Sequence, residues 1–443
     1  MRLRSFLPRN TACTTIATVA LCTTPALAQS QESNISAADT AWMMIATGLV
    51  LMMSIPGLAL FYSGMVRKKN VLGTMAQTLL STFIGSVFWV GACYSLTFRG
   101  DGSFIGGLDR LFLHGIGMTT TSPLAPTIPE MLFMAYQMTF AVITVALVGG
   151  SVAGRMRFSA FVWFAVLWLP FVYVPIAHWV WGNGWLMRAG LLDFAGGTVV
   201  HLNAGVAGLV AACVVGRRYG YGSDNFAPYD LSLAVIGTGL LWVGWFGFNG
   251  GSALTASSRA VFAIVTTHLA ASTGALTWTA LEWRTRGKPS VLGMISGAVA
   301  GLGTVTPASG FVLPWHGLII GVIAGAICFW ACTKLKALLQ YDDSLDVFGV
   351  HGIGGAVGTL LTGVFATAAV SATPELPQGN AGLLDGNPGQ LFIQLMGIAA
   401  TLAWSGLGTF ILLKIIGVLV PLRVSKENEI DGLDLTQHGE VLQ

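Results

Sequence analysis

Eleven stretches of the chain stay apolar for long enough to cross a bilayer core of about 30 Å. They fall near 40–64, 71–98, 130–150, 157–178, 195–216, 231–251, 260–281, 291–304, 315–333, 348–368 and 391–421, and the short, Gly- and Ala-rich run at 291–304 has the least distinct limits. The polar breaks between the runs carry basic residues unequally. Alternate loops hold Arg67, Lys68, Lys69, Arg155, Arg157, Arg217, Arg218, Arg284, Arg286, Lys288, Lys334 and Lys336, against only Arg99, Arg110, Arg188 and Arg259 in the other set. Basic residues in short loops are retained in the cytoplasm, so the first set marks the cytoplasmic face. Eleven crossings then place the mature N-terminus outside and the 422–443 tail inside. The predicted fold is an all-α polytopic membrane protein.

A repeat runs through this pattern. His201 is followed by Gly205 and Gly208, and His351 by Gly355 and Gly358, the same H-x3-G-x2-G spacing in the fifth and tenth runs. Five crossings is an odd number, so the two halves have opposite orientation. An inverted repeat of that kind puts its site near the membrane midplane, where the halves meet. The expected halves are about 38–216 and 230–368, with a long last helix at about 391–421 outside the repeat.

Composition agrees: 54% of the 443 residues are hydrophobic, 9% are charged and the mean hydropathy is +0.72, whereas soluble domains carry about 25% charged residues. A net charge of +3 spread over this length is too small and scattered for nucleic acid. Residues 1–28 read as a cleavable signal peptide, with Arg2, Arg4 and Arg9, a run from Thr11 to Thr23 short of a full span, and Ala26-Leu27-Ala28 as a small-residue cleavage site. The membrane domain is then 29–421. Cys93, Cys213, Cys328 and Cys332 lie inside apolar runs, away from outer loops where a disulfide would staple anything. The 57 glycines favour close helix packing and leave little room for a wide aqueous channel.

Within lipid an ionisable side chain is costly and marks a candidate site. His178, His201, His268 and His351 lie in or at the ends of apolar runs. The repeat relates His201 to His351 and would bring them together, while His178 and His268 read as structural. Tyr136 and Phe140 are one turn apart, Trp181 follows His178, and Phe246 and Phe248 precede Asn249-Gly250-Gly251-Ser252. Most such aromatics pack or sit at the interface, but a Trp and a Phe at a pore mouth would attract a small cation through their ring faces. Asp193 stands just before a helix, where a carboxylate caps free backbone N–H groups and also adds negative potential beneath a cation site. There is no potassium-filter sequence, phosphate loop or His-Glu-x-x-His metal motif. Cys328 and Cys332 have no histidine or carboxylate within two helical turns of them in their segment to complete a metal site.

At these residues the chain resembles the ammonium transporter family, which includes the Rhesus-type proteins. The likeness covers nearly the whole mature chain: Gly-Leu-Ala-Leu-Phe-Tyr-Ser-Gly-Met-Val-Arg at 57–67, Asp-Phe-Ala-Gly-Gly-Thr-Val-Val-His at 193–201, Trp-Phe-Gly-Phe-Asn at 245–249, Arg-Gly-Lys-Pro-Ser at 286–290 and Asp-Val-Phe-Gly-Val-His-Gly at 346–352. The resemblance implies eleven helices in two inverted halves plus a last long helix, and a homotrimer in the cell (inner) membrane with one pore per subunit. It implies transport of ammonium or ammonia, with methylammonium as an analogue, and neither a cofactor nor enzymatic activity. It places Phe140, Trp181 and Ser252 at an outer recruitment site, Phe140 and Phe248 at a gate, His201 and His351 in the pore, and Asp193 as a supporting carboxylate. Trp181 and the Phe-Gly-Phe-Asn run favour the bacterial, archaeal and plant type over the Rhesus type. Tyr136 departs from the Phe of many members, and the tail ends in Val441-Leu442-Gln443 without the tyrosine often found there.

Family members of this kind are blocked from the cytoplasm by a trimeric PII-type signalling protein, a partner that the basic loops and tail would fit. Two other classes stay open on the residues alone. One is an ammonium sensor, although such sensors often carry a long signalling domain where about twenty residues follow the last span here. The other is a metalloenzyme built on His201 and His351, although a catalytic zinc needs about three protein ligands and no third candidate is apparent.

Overall fold

The computed structural model describes residues 34–372 and 377–443; the signal sequence read at 1–28 lies outside them. Among the described residues ten helices are long and apolar enough to cross a membrane. With the shorter helix Val291–Val305 they are numbered here α1 (Ala37–Met65), α2 (Lys68–Phe98), α3 (Glu130–Val152), α4 (Phe158–Arg188), α5 (Gly197–Val215), α6 (Leu231–Gly250), α7 (Ser258–Arg286), α8 (Val291–Val305), α9 (Pro314–Leu339), α10 (Phe348–Phe365) and α11 (Gly389–Leu419). The eleven predicted runs match these helices in order. At 15 residues, α8 spans only about 22 Å. Buried turns over residues 306–312 carry the chain onward to α9, which is why its hydropathy signal is short. A small hairpin, β1 (Thr121–Ser122) with β2 (Ala125–Pro129), leads into α3.

Local chemistry sets the helix ends. Ser36, Asp230 and Ser290 accept backbone N–H groups at the starts of α1, α6 and α8, relieving donors that have no intrahelical partner. Gly287 ends α7 with a φ of +76°, a conformation that costs glycine nothing. Helices α3 and α5 are largely buried, whereas α11 is mostly exposed, so the former make the interior and the latter faces outward.

The inverted repeat is visible in the backbone itself. Wide π-type turns interrupt α1 (Met53–Leu58) and close α6 (Phe246–Gly250), interrupt α4 and α9 (Leu169–Tyr173, Ala331–Leu335), and open α5 and α10 (Gly197–Leu202, Phe348–Gly352), while a further one in α2 (Trp89–Cys93) has no counterpart in α7. Each pair is five helices apart, as the histidine spacing predicted. At the junction α5 and α10 touch through glycine: a Cβ on Gly205 would lie 2.2 Å from the Gly352 nitrogen, and one on Gly355 would lie 2.6 Å from the Gly197 carbonyl oxygen. The H-x3-G-x2-G repeat is therefore a packing device as well as a marker of symmetry.

The tail is more ordered than its polarity implies. Met156 pairs with Arg423 in a short antiparallel bridge, after which helix α12 (Lys426–Asp431) and a final turn (Asp434–His438) lie against the loops at the basic end. Glu429 and Asp434 are buried there. The Glu429 carboxylate binds Arg423 at 2.8 Å and accepts the Tyr219 N–H at 2.8 Å. Asp434 accepts from the Leu72 and Gly73 N–H groups at the start of α2.

Candidate functional site

Three cavities follow one another through the bundle. The first, about 290 Å³, is lined by Phe140, Trp181, Asp193, Ser252 and Arg259 among others. The second holds only about 10 Å³ and is walled by apolar side chains, Phe248, His201 and His351. The third, about 350 Å³, shares Phe61, Val299 and His351 with the second and opens among Arg67, Arg218, Arg286 and Lys336. All seven residues singled out in the sequence thus line the first two cavities.

What separates those two is a pair of phenyl rings. Phe140 of α3 and Phe248 of α6 stack with centroids 4.2 Å apart and planes inclined by 32°. Trp181 meets Phe140 edge-on at 5.6 Å, and its indole N–H donates to the Asp193 carbonyl at 2.9 Å. The Phe248 backbone is pinned in turn: its carbonyl accepts the Tyr136 hydroxyl at 2.7 Å and the Ser252 hydroxyl at 2.8 Å. Tyr136 therefore uses the oxygen that distinguishes it from Phe to hold the stacked pair from behind.

Beyond the rings, His201 and His351 are buried and face each other with their Nδ1 atoms 3.1 Å apart. One Nδ1 must donate and the other accept, which fixes opposite tautomers for two neutral rings. The His201 ring stacks on Trp245 at 5.5 Å, itself tied by its indole N–H to the Thr306 hydroxyl at 2.9 Å. His201 Nε2 has no hydrogen-bond partner among the described residues, leaving a polar ring edge in an apolar passage. About 10–15 Å³ is the room one water molecule needs, so the second cavity suits a single water-sized molecule.

Asp193 supports the start of α5. Its two oxygens accept the N–H groups of Gly196, Gly197 and Thr198, each at 2.7 Å, and the Thr198 hydroxyl as well. A counterpart escaped the sequence reading. Asp193 lies eight positions before His201, and Asp343 lies eight before His351; its Oδ2 accepts the Phe348 N–H at 2.7 Å at the start of α10. Burial raises the Asp343 carboxyl from its ordinary value, opposed by the nearby Lys336. Counting back from each histidine of the repeat would have found it. Neighbouring Asp342 ionises more readily: burial opposes this, but the Arg218 guanidinium at 2.6 Å outweighs it.

Of the other two histidines singled out in the sequence, His178 clasps the carbonyls of Thr97 and Gly102 at 2.7 and 2.6 Å. His268 sits on the exposed side of α7 near Trp242. Neither lines the three cavities. Among the described residues no group of three or more His, Cys, Asp or Glu side chains is placed to hold a metal ion.

A helical bundle with an inverted repeat and a constricted passage within a single chain is the architecture of a membrane transport protein. A family model described as the Ammonium Transporter Family matches residues 41–442, and the chain belongs to that family. It is 48% identical over 404 residues to an ammonium transporter of Bacillus subtilis (strain 168), covering 91% of this chain and 97% of that one. It is 43% identical to the ammonium transporter Amt1 of Archaeoglobus fulgidus, covering 91% and 98%. Among solved structures, Mep2 of Saccharomyces cerevisiae superposes with a TM-score of 0.83 at 38% identity, over 89% of each chain. A protein described as a sensor Amt protein reaches 0.81 at 28% identity, over 90% of this chain and 98% of that one. The chain is accordingly a multi-pass membrane protein of ammonium transport rather than an enzyme.

Proposed function

We propose that ammonium is captured at the Phe140, Trp181 and Ser252 vestibule on the outer face, loses its proton at or below the Phe140–Phe248 gate, and crosses as ammonia along His201 and His351. The released proton passes to water in the outer vestibule, and ammonia takes up another from water at the cytoplasmic end. Asp193 holds the α5 terminus in place and contributes negative potential beneath the capture site. The observation that carries this reading is the second cavity, with room for one water-sized molecule, apolar walls and two imidazoles as its polar edges. A charged amine entering it would give up its hydration shell without a ring of carbonyls in exchange. Desolvation of that kind favours the neutral amine, as burial does for lysine by up to about 3–5 pKa units.

The orientation rests on the basic loops, with the Arg67 and Arg218 end cytoplasmic, in the cell (inner) membrane. A homotrimer and control by a PII-type protein at that face complete the proposal, the latter supported by a tail packed against the same loops. A sensing role, raised by the sensor Amt protein, is the alternative.

The test is parallel ammonium and potassium flux in proteoliposomes of known protein content. His201→Asp and His351→Glu, each placing a potential anion in the passage, are expected to admit potassium, while His201→Ala mainly lowers ammonium flux. Unchanged ammonium flux and potassium exclusion in both acidic variants would show the histidines to be structural. Absence of ammonium flux from the wild-type protein would favour sensing.

A further inference from the structure

Among the described residues Arg259 is the one basic side chain that lines the outer vestibule, and its placement runs against local preference. It stands in the first turn of α7, where the helix dipole favours anions and disfavours cations. Among the described residues it forms no ion pair with a carboxylate. Instead its Nε donates to the Gly310 carbonyl at 2.7 Å, and its guanidinium lies 4.9 Å from the ring centres of both Phe194 and Phe311. Those two rings meet edge to face at 5.6 Å. The contacts immobilise the charge without neutralising it. Among the described residues the vestibule lining contains two ionisable side chains, Asp193 and Arg259, so their formal charges cancel across a space into which a cation must come.

We infer that Arg259 sets the affinity of the vestibule for ammonium: its fixed positive charge offsets Asp193 and keeps capture loose, so that aromatic faces and hydroxyls do the recognising. This rests on the proposed capture of ammonium at that vestibule. The distance makes the effect substantial, since a cavity of about 290 Å³ is roughly as wide as one screening length in physiological salt, about 8 Å. A unit charge at that range changes cation binding by about two- to tenfold after screening. Loose capture also has a use, because a conduction site must bind firmly enough to fill and weakly enough to empty.

The experiment measures the half-saturating ammonium concentration of reconstituted full-length protein at low and high ionic strength. Arg259→Gln, whose amide can still donate to Gly310, is expected to lower it about two- to tenfold in low salt and to converge on wild type as salt rises. Arg259→Lys, which keeps the charge, should resemble wild type at both. Asn380→Asp adds a negative charge to the same cavity without touching Arg259 and should shift the value in the same direction as Arg259→Gln, so the inference stays testable if Arg259→Gln folds poorly. Wild-type values at every salt concentration in both Arg259→Gln and Asn380→Asp would overturn it. So would Arg259→Lys reproducing Arg259→Gln, which would assign the residue to the packing of its guanidinium against Phe194 and Phe311 and not to its charge. Trp181→Leu, run alongside, separates the two ideas: if it leaves capture unchanged while Arg259→Gln shifts it, the aromatic recruitment reading fails and the charge effect stands. The reverse pattern rejects the charge effect alone.

Discussion

Trp181 combines a structural contact with its proposed part in capture. Its indole N–H is committed to the Asp193 carbonyl, while its ring borders the vestibule beside Phe140. A cation over such a ring gains about 0.5–2 kcal/mol, depending on how far it is desolvated. Trp181→Leu keeps apolar bulk but removes both the ring face and the N–H. Uptake of labelled methylammonium at limiting concentration is expected to fall about two- to tenfold, with a smaller change at saturation, since a tenfold change corresponds to about 1.4 kcal/mol. Uptake equal to wild type at limiting concentration would remove Trp181 from recruitment. The histidines and Asp193 could be picked out in the sequence because ionisable groups are rare within apolar runs. The tasks of Trp245 and Tyr136 could not be read there, since an aromatic residue in a membrane helix is usually packing and only geometry places one on His201 and the other behind Phe248.

At the scale of the helices, the crossing of α5 and α10 is the contact on which the histidine pair depends. Each imidazole lies in the wide turn that opens its helix, and the two backbones approach closely enough that a methyl group on Gly205 would meet the Gly352 backbone at 2.2–2.3 Å. Backbone cannot rotate aside as a side chain can, so the helices would have to separate. Gly205→Ala is expected to cost about 1–3 kcal/mol through overpacking, visible as a lower unfolding temperature in detergent, and to reduce ammonium flux per molecule by disturbing the 3.1 Å histidine contact. Wild-type flux and stability in this variant would mean that the crossing is slack. The number and order of these helices were legible because lipid demands long apolar runs. Which face of each points inward was not, because a helix bordered by lipid on one side and by other helices on the other is apolar all round. The repeat supplied that information for α5 and α10 alone. The π-type turns left no trace in hydropathy, since an extra residue in a turn changes geometry and not polarity.

Over the whole molecule, the tail joins parts of the chain that sequence order keeps far apart. Asp434 reaches the start of α2 across 362 positions, accepting the Leu72 N–H at 3.1 Å and the Gly73 N–H at 2.8 Å, and the neighbouring Leu433 N–H donates to the Asn70 side chain at 3.0 Å. A capping residue is ordinarily found at the start of its own helix, where sequence reading looks for it; here the cap comes from the other end of the chain, so the tail reads as a detached polar segment until the fold is known. The arrangement makes tail docking and α2 stability one equilibrium. Asp434→Ala removes the acceptor for two backbone donors, and loss of a cap costs about 0.5–2 kcal/mol. That amount shifts a docked tail toward release by about two- to thirtyfold. Limited proteolysis at 425–440 should therefore accelerate by a factor in that range, and hydrogen exchange should quicken in the first turn of α2. Asp434→Asn, which retains a side-chain oxygen able to accept one of the two N–H groups, should fall between Ala and wild type. Equal proteolysis rates in all three proteins would mean that the Asp434 contacts do not hold the tail, and that Glu429 with Arg423 and Tyr219 fixes it unaided.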